Sequence, residues 1–322
     1  MFLYVILRAL QTILVVIAVS FLVFIMNYYG GGDPVYGMLP LQATQAQIDA
    51  MRQALGLDKP VLVQYAIYMS HLLQGDLGNS WTQVRPVSDI IMERLPATLE
   101  LATIGILFSV FLGIPLGLYA AVRPASWFSR GSMSASILGI SVPPFWLGII
   151  LILVFSVNLG WLPSSGRGET VVLANIHIGF LTRDGLAHLV LPGLTLAVFN
   201  VALIMRLQRA ALLEELPQDY VKFAKAKGVP IRRVIMRHAF RNTLMPVVTF
   251  VSLIFAQSIA FAVITETIFA WPGMGKLLID SIALNDRPVV IGYLMLSAVL
   301  FSLINFLTDL TYAAIDPRVT VK

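Results

Sequence analysis

Cysteine is absent from this 322-residue chain, which excludes disulfides, thiolate metal sites and cysteine nucleophiles. Charged residues are scarce at 12%, and hydrophobic residues make up 58% of the chain. An ordinary soluble domain is about one quarter charged and about half apolar. The four histidines lie far apart and form no metal-ligand spacing: His71, His177, His188 and His238. This composition argues against a soluble enzyme, a disordered chain or a secreted disulfide scaffold, and it favours one polytopic membrane domain.

Motifs of the common enzymes are also missing from the sequence. There is no phosphate-binding loop, no nucleophile-elbow serine motif and no His-Glu-x-x-His zinc motif. The nearest approach to a phosphate-binding loop is Gly275-Lys276, which Leu277 follows where Ser or Thr is required. With no cysteine, no clustered histidine and no paired carboxylates at depth, an intramembrane enzyme is a remote alternative.

Six runs are long and apolar enough to cross a bilayer, which takes about 20 residues of helix. They cover residues 9–29, 98–121, 133–161, 188–207, 244–264 and 289–313. The first run exceeds a signal-peptide core and precedes three glycines rather than a cleavage site, so we expect a retained helix. Pro143 and Pro144 interrupt the third run, because they remove two backbone donors and disfavour helix before them. The sequence thus predicts an all-α polytopic membrane protein with six transmembrane helices, the third of them broken.

Charged side chains lie near the ends of these runs and not in their middle. Those inside the runs are Glu100, Arg206 and Asp309. Proton- or ion-coupled carriers usually place such groups at mid-depth. We therefore expect a pathway that another component must drive, and a self-sufficient carrier or channel is a remote alternative.

The distribution of Lys and Arg predicts the orientation of the chain in the membrane. One side holds 14 of the 22 Lys and Arg residues, nine of them in the loop 206–243. The other side holds eight over longer stretches. The basic side is therefore expected to be cytoplasmic, together with both termini. We attribute the net charge of +5 to this topology and not to nucleic-acid binding.

The predicted domain organisation follows from this topology. It comprises an N-terminal transmembrane helix (1–29), a small external helical insertion (30–97) and a core domain with five transmembrane helices (98–322). Within the insertion we expect one helix near 44–55 and an amphipathic helix over 61–73 that Asp58 begins.

The cytoplasmic loop 206–243 is the most informative segment outside the membrane. Asp219 can cap a short helix over 220–227, and Gly228 suits its C-terminal end. Pro230 then begins a second helix. Its apolar face is expected to carry Ile231, Val234, Ile235, His238 and Ala239, opposite a stripe of Arg233, Arg237 and Arg241. From the residues alone, the loop can lie on anionic lipid headgroups or dock a cytoplasmic protein.

Within this loop, residues 224–228, Arg237-His238-Ala239, Arg241-Asn242 and Leu244-Met245-Pro246 resemble the "EAA loop" of ABC-importer permeases. Lys222 and Phe223 depart from the first two positions of that pattern, and Ala224 and Gly228 match it. The chain is similar in particular to the B-type subunit of the dipeptide, oligopeptide and nickel permease family. Further matching pieces lie at residues 32–34, 55–60, 64–65, 75–78, 94–101, 141–146, 161–166, 265–275 and 316–318.

The resemblance implies a non-catalytic permease subunit of a bacterial inner-membrane importer for short peptides. Its implied partners are a sister permease subunit, two cytoplasmic ABC ATPase subunits and an external substrate-binding protein. ATP and magnesium would be bound by the ATPase subunits, with no cofactor in this chain. The same machinery importing a nickel complex or an oligosaccharide is the alternative within the family.

The resemblance also assigns an ATPase-coupling loop, whose short helix would insert into a groove of the ATPase. The implied coupling residues are Asp219, Tyr220, Ala224, Lys225, Ala226, Lys227, Gly228, Arg237 and His238.

Overall fold

A computed structural model of the chain describes residues 2–30, 35, 43–174 and 176–315. The matching pieces at 32–34 and 316–318 lie outside the described residues. The helices are α1 (Phe2–Gly30), α2 (Gln45–Ala54), α3 (Val61–Leu73), α4 (Val87–Val122), α5 (Trp127–Ser141), α6 (Pro144–Leu151), α7 (Arg183–Glu215), α8 (Asp219–Ala226), α9 (Ile231–Arg233), α10 (Phe240–Phe261), α11 (Val263–Ile268), α12 (Met274–Ala283) and α13 (Arg287–Ile315). Two π-helical segments, Ile152–Asn158 and Val234–Ala239, continue α6 and α9. The described part of the chain is therefore mostly helical, as predicted.

Among the described residues, five helices are long and apolar enough to cross a membrane, and they overlap the first, second, fourth, fifth and sixth predicted runs. The fifth run extends past Phe261, where its helix ends. The third predicted run forms the bent pair Trp127–Ser141 and Pro144–Asn158, whose axes differ by 107°. Pro143 is extended at this break, and Pro144 opens the following helix, where its missing N–H costs no hydrogen bond. The predicted all-α fold and the broken third span are confirmed.

The chain folds as two compact units, and the first comprises residues 96–276 together with the end of α13 from Leu307 onward. In this unit α4 and α7 pack closely at glycines. A Cβ at Gly117 would lie 2.6 Å from the carbonyl oxygen of Met205, and one at Gly113 would lie 2.9 Å from Cγ2 of Ile204. Small residues four apart allow two membrane helices to approach closely. The absence of a side chain at these positions thus sets the distance between α4 and α7.

A short hairpin connects the third predicted span to α7 in the same unit. Strands β1 (Val171–Leu173) and β2 (Ile176–Ile178) pair antiparallel, which the sequence did not predict. Arg167, beside the hairpin, donates from Nε and Nη2 to Glu100 Oε2 at 3.0 and 2.9 Å. Gly179 N donates to Glu100 Oε1 at 2.6 Å. The buried carboxylate of Glu100 therefore holds the hairpin segment to the start of the second predicted run.

A second buried carboxylate organises the segment before α12. Glu266 is fully buried and accepts hydrogen bonds from Thr98 Oγ1 at 2.7 Å and Lys276 N at 2.9 Å. Trp271, also fully buried, donates from Nε1 to the carbonyl oxygen of Ala97 at 2.9 Å. The matching pieces at 94–101 and 265–275 are therefore adjacent in space, and both contribute to one packed junction.

The second unit comprises residues 2–95 and 277–306. Within it, α3 packs along α1, where Tyr65 Oη lies 2.8 Å from Ser20 Oγ and its ring meets Phe21 edge-on at 5.1 Å. The helices predicted near 44–55 and over 61–73 are present, but α3 begins at Val61 with Pro60 before it. Asp58 does not start α3, because Pro60 fixes the extended backbone that enters the helix.

Asp286 anchors the loop before α4 to the start of α13 in this unit. Its buried carboxylate accepts hydrogen bonds from Ser80 Oγ at 2.5 Å, Thr82 Oγ1 at 2.6 Å and the backbone N–H groups of Trp81 and Thr82. Burial by itself raises the pKa of Asp286, but these hydrogen bonds outweigh it and hold the pKa below its ordinary value. The carboxylate therefore remains charged and bound at neutral pH.

Candidate functional site

The predicted coupling segment contains the short helix α8, which lies between the end of α7 and the start of α9. Gln218 precedes the helix with extended backbone, and its carbonyl oxygen accepts hydrogen bonds from Val221 N and Lys222 N. The predicted cap at Asp219 is wrong by one residue, since Asp219 is the first residue of the helix. In that position its carboxylate still interacts favourably with the positive end of the helix dipole. It also accepts a hydrogen bond from Lys222 Nζ at 2.9 Å.

Gly228 ends α8 as the sequence predicted. Its φ of +77° is a left-handed conformation that favours glycine. Gly228 N donates to the carbonyl oxygen of Lys225 at 2.9 Å, and Val229 N donates to that of Ala224 at 3.2 Å. This pair of hydrogen bonds is the Schellman motif, which satisfies the last free carbonyls of a helix. The end of α8 is therefore fixed, and Lys227 and Gly228 remain exposed.

The inner face of α8 rests on an apolar cluster, which we call the anchor cluster. Its buried members are Ala121, Leu212, Val221, Val234, Ile235 and Ala239, and Leu118, Leu216, Ala224 and Val229 pack against them. These residues come from the ends of α4 and α7, from α8 and from the π-helical segment. Ala224, assigned to the coupling site, thus packs against the chain's own core. The anchor cluster joins α8 to the helices that cross the membrane.

The outer face of α8 combines an aromatic ring with basic side chains. Phe223 is 61% exposed, although it is the largest apolar side chain of the helix. Lys227 Nζ lies 4.4 Å from the centroid of its ring, a cation–π distance. Lys225 and Ala226 are also exposed. From the sequence, Phe223 was only a departure from the family pattern. In the structure it is the largest exposed apolar side chain on this face of α8.

Tyr220 connects α8 to α7 and to α10. Its hydroxyl donates to the carboxylate of Glu215 at the end of α7 and accepts from Asn242 Nδ2 at 2.9 Å, at the start of α10. Burial and the hydrogen bond to Glu215 raise the pKa of Tyr220 to about 12. The phenol is therefore protonated at physiological pH and stays available as a donor. The sequence identified Tyr220 but not its two partners, which lie 5 and 22 residues away.

The predicted second helix is divided between α9 and the π-helical segment Val234–Ala239. Val234, Ile235 and Ala239 are buried as predicted, but Ile231 is 55% exposed. A π-helix has more residues per turn than an α-helix, so a face drawn at α-helical spacing does not continue through it. Arg237 is exposed and His238 is half-buried on this segment.

The predicted coupling residues therefore form two groups. Those at 219–228 lie on α8 and its cap, and Arg237 and His238 lie on the π-helical segment that packs beneath α8 through the anchor cluster. Among the described residues, no group of three or more His, Cys, Asp or Glu could hold a metal ion. The helix α8 is therefore a surface helix that is packed firmly against the ends of α4 and α7.

Comparison with known proteins gives matches along nearly the whole chain. Residues 113–321 match the family "Binding-protein-dependent transport system inner membrane component", and residues 1–102 match the N-terminal family of the same components. The oligopeptide transport permease AppB of Bacillus subtilis is 37% identical, with 98% of each chain covered. The di/tripeptide transport permease DppB of Pseudomonas aeruginosa is 42% identical, with 89% of this chain and 90% of that protein covered. The glutathione transport permease GsiC of Escherichia coli is 39% identical, with 99% of each covered.

Solved structures share the fold at lower sequence similarity. An inward-facing structure of the MetNI methionine ABC transporter superimposes with a TM-score of 0.55 at 19% identity. The superposition covers 70% of this chain and 96% of the MetNI chain.

Proposed function

Since this chain belongs to the binding-protein-dependent transport system inner membrane component family, we propose that it forms half of the translocation pathway of an ATP-driven importer for short peptides. The names of three full-length relatives support peptides as cargo, because they refer to oligopeptides, di- and tripeptides, and glutathione. These names favour peptides over the nickel complex and the oligosaccharide that the sequence left open.

The observation that carries this function is the construction of α8. Its inner face is held by the anchor cluster, its end is fixed at Gly228, and its outer face presents Phe223 and lysines. To move a two-state equilibrium from 1:99 to 99:1, an ATPase must supply about 5.5 kcal/mol of differential binding. A firmly anchored helix can transmit that free energy, whereas a helix lying loosely on lipid cannot. This geometry supports protein docking over headgroup binding.

The proposed assembly contains this chain, a sister permease subunit, two ATPase subunits and an external binding protein. In it the ATPase subunits bind ATP and magnesium, and this chain is a transport subunit without catalysis of its own. We place it in a bacterial inner membrane, with both termini and the loop 206–243 in the cytoplasm.

Transport by the reconstituted assembly tests this function. We expect proteoliposomes that contain all partners to take up trialanine when the ATPase subunits face the lumen. ATP is enclosed in the lumen, and the loaded binding protein is added outside. The chain alone should hydrolyse no ATP and accumulate no trialanine under a proton or sodium gradient. Gradient-driven uptake by the purified chain would reject the proposal in favour of a secondary carrier.

Single-cysteine labelling tests the orientation, and the lack of native cysteine removes any background. Ala50→Cys, on the exposed surface of α2, should react with an impermeant thiol reagent in intact cells whose outer membrane has been permeabilised. Gln218→Cys, exposed before α8, should react only after the inner membrane is opened. The opposite labelling pattern would invert the topology drawn from the Lys and Arg distribution.

A further inference from the structure

A cavity of about 220 Å³ lies in the unit 96–276, beside the break in the third predicted span. Pro144, the first residue after the break, lines it, and so does one face each of α7, α10 and α11. Its polar lining consists only of carboxamides and hydroxyls, from Thr195, Asn200, Gln257, Ser258 and Thr265. No charged side chain lines this cavity.

The amide of Asn200 and two of the three buried hydroxyls, those of Thr195 and Ser258, take part in hydrogen bonds. Thr195 Oγ1 donates to the carbonyl oxygen of Leu191 at 2.9 Å. Asn200 Nδ2 donates to the carbonyl oxygen of Leu196 at 3.1 Å and lies 3.5 Å from Ser258 Oγ. The amide nitrogen of Asn200 therefore points along its own helix and toward α10.

Gln257 differs from these residues because it is exposed. Its carboxamide has no hydrogen-bond partner among the residues that the structure describes. It nevertheless belongs to the uncharged run 244–264, nine residues before Glu266, the nearest charged residue in sequence. Moving an unpaired amide from water into hydrocarbon is strongly unfavourable. Polar side chains in membrane segments accordingly face a bundle interior, a water-filled cavity or a partner.

We propose that this cavity is a subsite of the translocation pathway, in which Gln257 hydrogen-bonds to the backbone amides of the passing peptide. This inference rests on the proposed function. A carboxamide both donates and accepts, so it can pair with the N–H and the C=O of a peptide bond. An uncharged lining binds the group that all peptides share and gives no strong preference for charged termini or side chains. Such a subsite lowers the cost of moving amides through the membrane without trapping one sequence.

A double-mutant cycle between protein and cargo tests this contact in the fully reconstituted importer. The probes are trialanine and its analogue in which one amide N–H is replaced by an ester oxygen. Uptake is measured as a maximal rate with saturating, preloaded binding protein. We expect Gln257→Leu to lower trialanine uptake about tenfold, the loss of one good hydrogen bond. The same variant should lower uptake of the ester analogue less than threefold, because the analogue already lacks that hydrogen bond.

Two further variants control for assembly and shape. Gln257→Met keeps the length of the side chain and should behave like Gln257→Leu. Leu253→Ala, one helical turn earlier at an exposed apolar position outside the cavity, should leave both rates within twofold. Each variant is also compared with wild type for recovery of the complete complex.

The outcomes separate the subsite from the function on which it rests. Equal losses of uptake for both cargoes would overturn the subsite and place Gln257 against the sister subunit. No loss of uptake for either cargo would also overturn the subsite, because Gln257 would then contact only water. Both results would preserve the proposed function as long as wild type imports trialanine. A wild-type assembly that imports neither cargo would overturn the function and the subsite together.

Discussion

Phe223→Ala is expected to weaken binding of the ATPase subunits to the permease about 30-fold, the effect of losing an aromatic hot spot worth about 2 kcal/mol. Phe223 is 61% exposed and stands on a helix that the anchor cluster holds from the other side. Its removal should therefore leave the fold of the chain intact while removing the main apolar contact that α8 can offer. The measurement is the affinity of the ATPase subunits for the permease pair in nanodiscs, together with transport.

Lys222→Ala provides the matched control for this prediction, because it changes the adjacent residue of the same helix. Lys222 makes an exposed ion pair with Asp219, and such pairs contribute little to stability. We expect less than a threefold change in affinity. If Lys222→Ala weakens binding as much as Phe223→Ala does, the docking contact depends on charge and not on the aromatic ring.

The predicted coupling residues on α8 do not all make useful test positions. Ala224 packs against the anchor cluster, so a large substituent there would disturb the fold and the contact together. At Gly228 an added Cβ would meet no atom within 4 Å, but the φ of +77° strains any other residue. Substitution of Gly228 therefore acts through the end of the helix. Phe223 is the position that separates docking from folding.

Gly117→Ala is expected to destabilise the chain by about 1–3 kcal/mol, the usual cost of forcing a methyl group into a packed interface. The added Cβ would lie 2.6 Å from the carbonyl oxygen of Met205 and 2.8 Å from Cβ of Gln208. The nearest of these atoms is backbone, so α4 and α7 would have to move apart. The measurement is the melting temperature of the chain in detergent.

Gly131→Ala is the corresponding control within α5. It makes the same chemical change in a helix, but an added Cβ there would meet no atom within 4 Å. Because alanine favours helix over glycine, we expect the melting temperature to stay equal or to rise slightly. Equal losses at Gly117 and Gly131 would mean that the added methyl group is unfavourable wherever it is placed, and that the contact between α4 and α7 does not account for the effect.

The sequence by itself determined the membrane architecture of this protein. Uninterrupted apolar runs specify helices in a bilayer, because backbone groups there must hydrogen-bond within their own segment. Pro143 and Pro144 broke the third run where predicted, since proline acts on the backbone immediately beside it. Gly228 ended α8 for an equally local reason, a left-handed conformation that favours glycine. These features depend on neighbouring residues and can therefore be read from the chain.

Only the tertiary structure decided which distant residues meet. Asp286 binds Ser80 across 206 positions, and Glu100 pairs with Arg167 across 67. It also decided that Ala224 faces inward and Phe223 outward, and that Gly117 lies where α4 and α7 pack closely. The hydrophobicity or charge of a side chain indicates that it needs a partner. Which residue becomes that partner depends on how whole helices pack against one another. The membrane spans of this protein are thus set locally, whereas the faces that would carry force and cargo are set by packing.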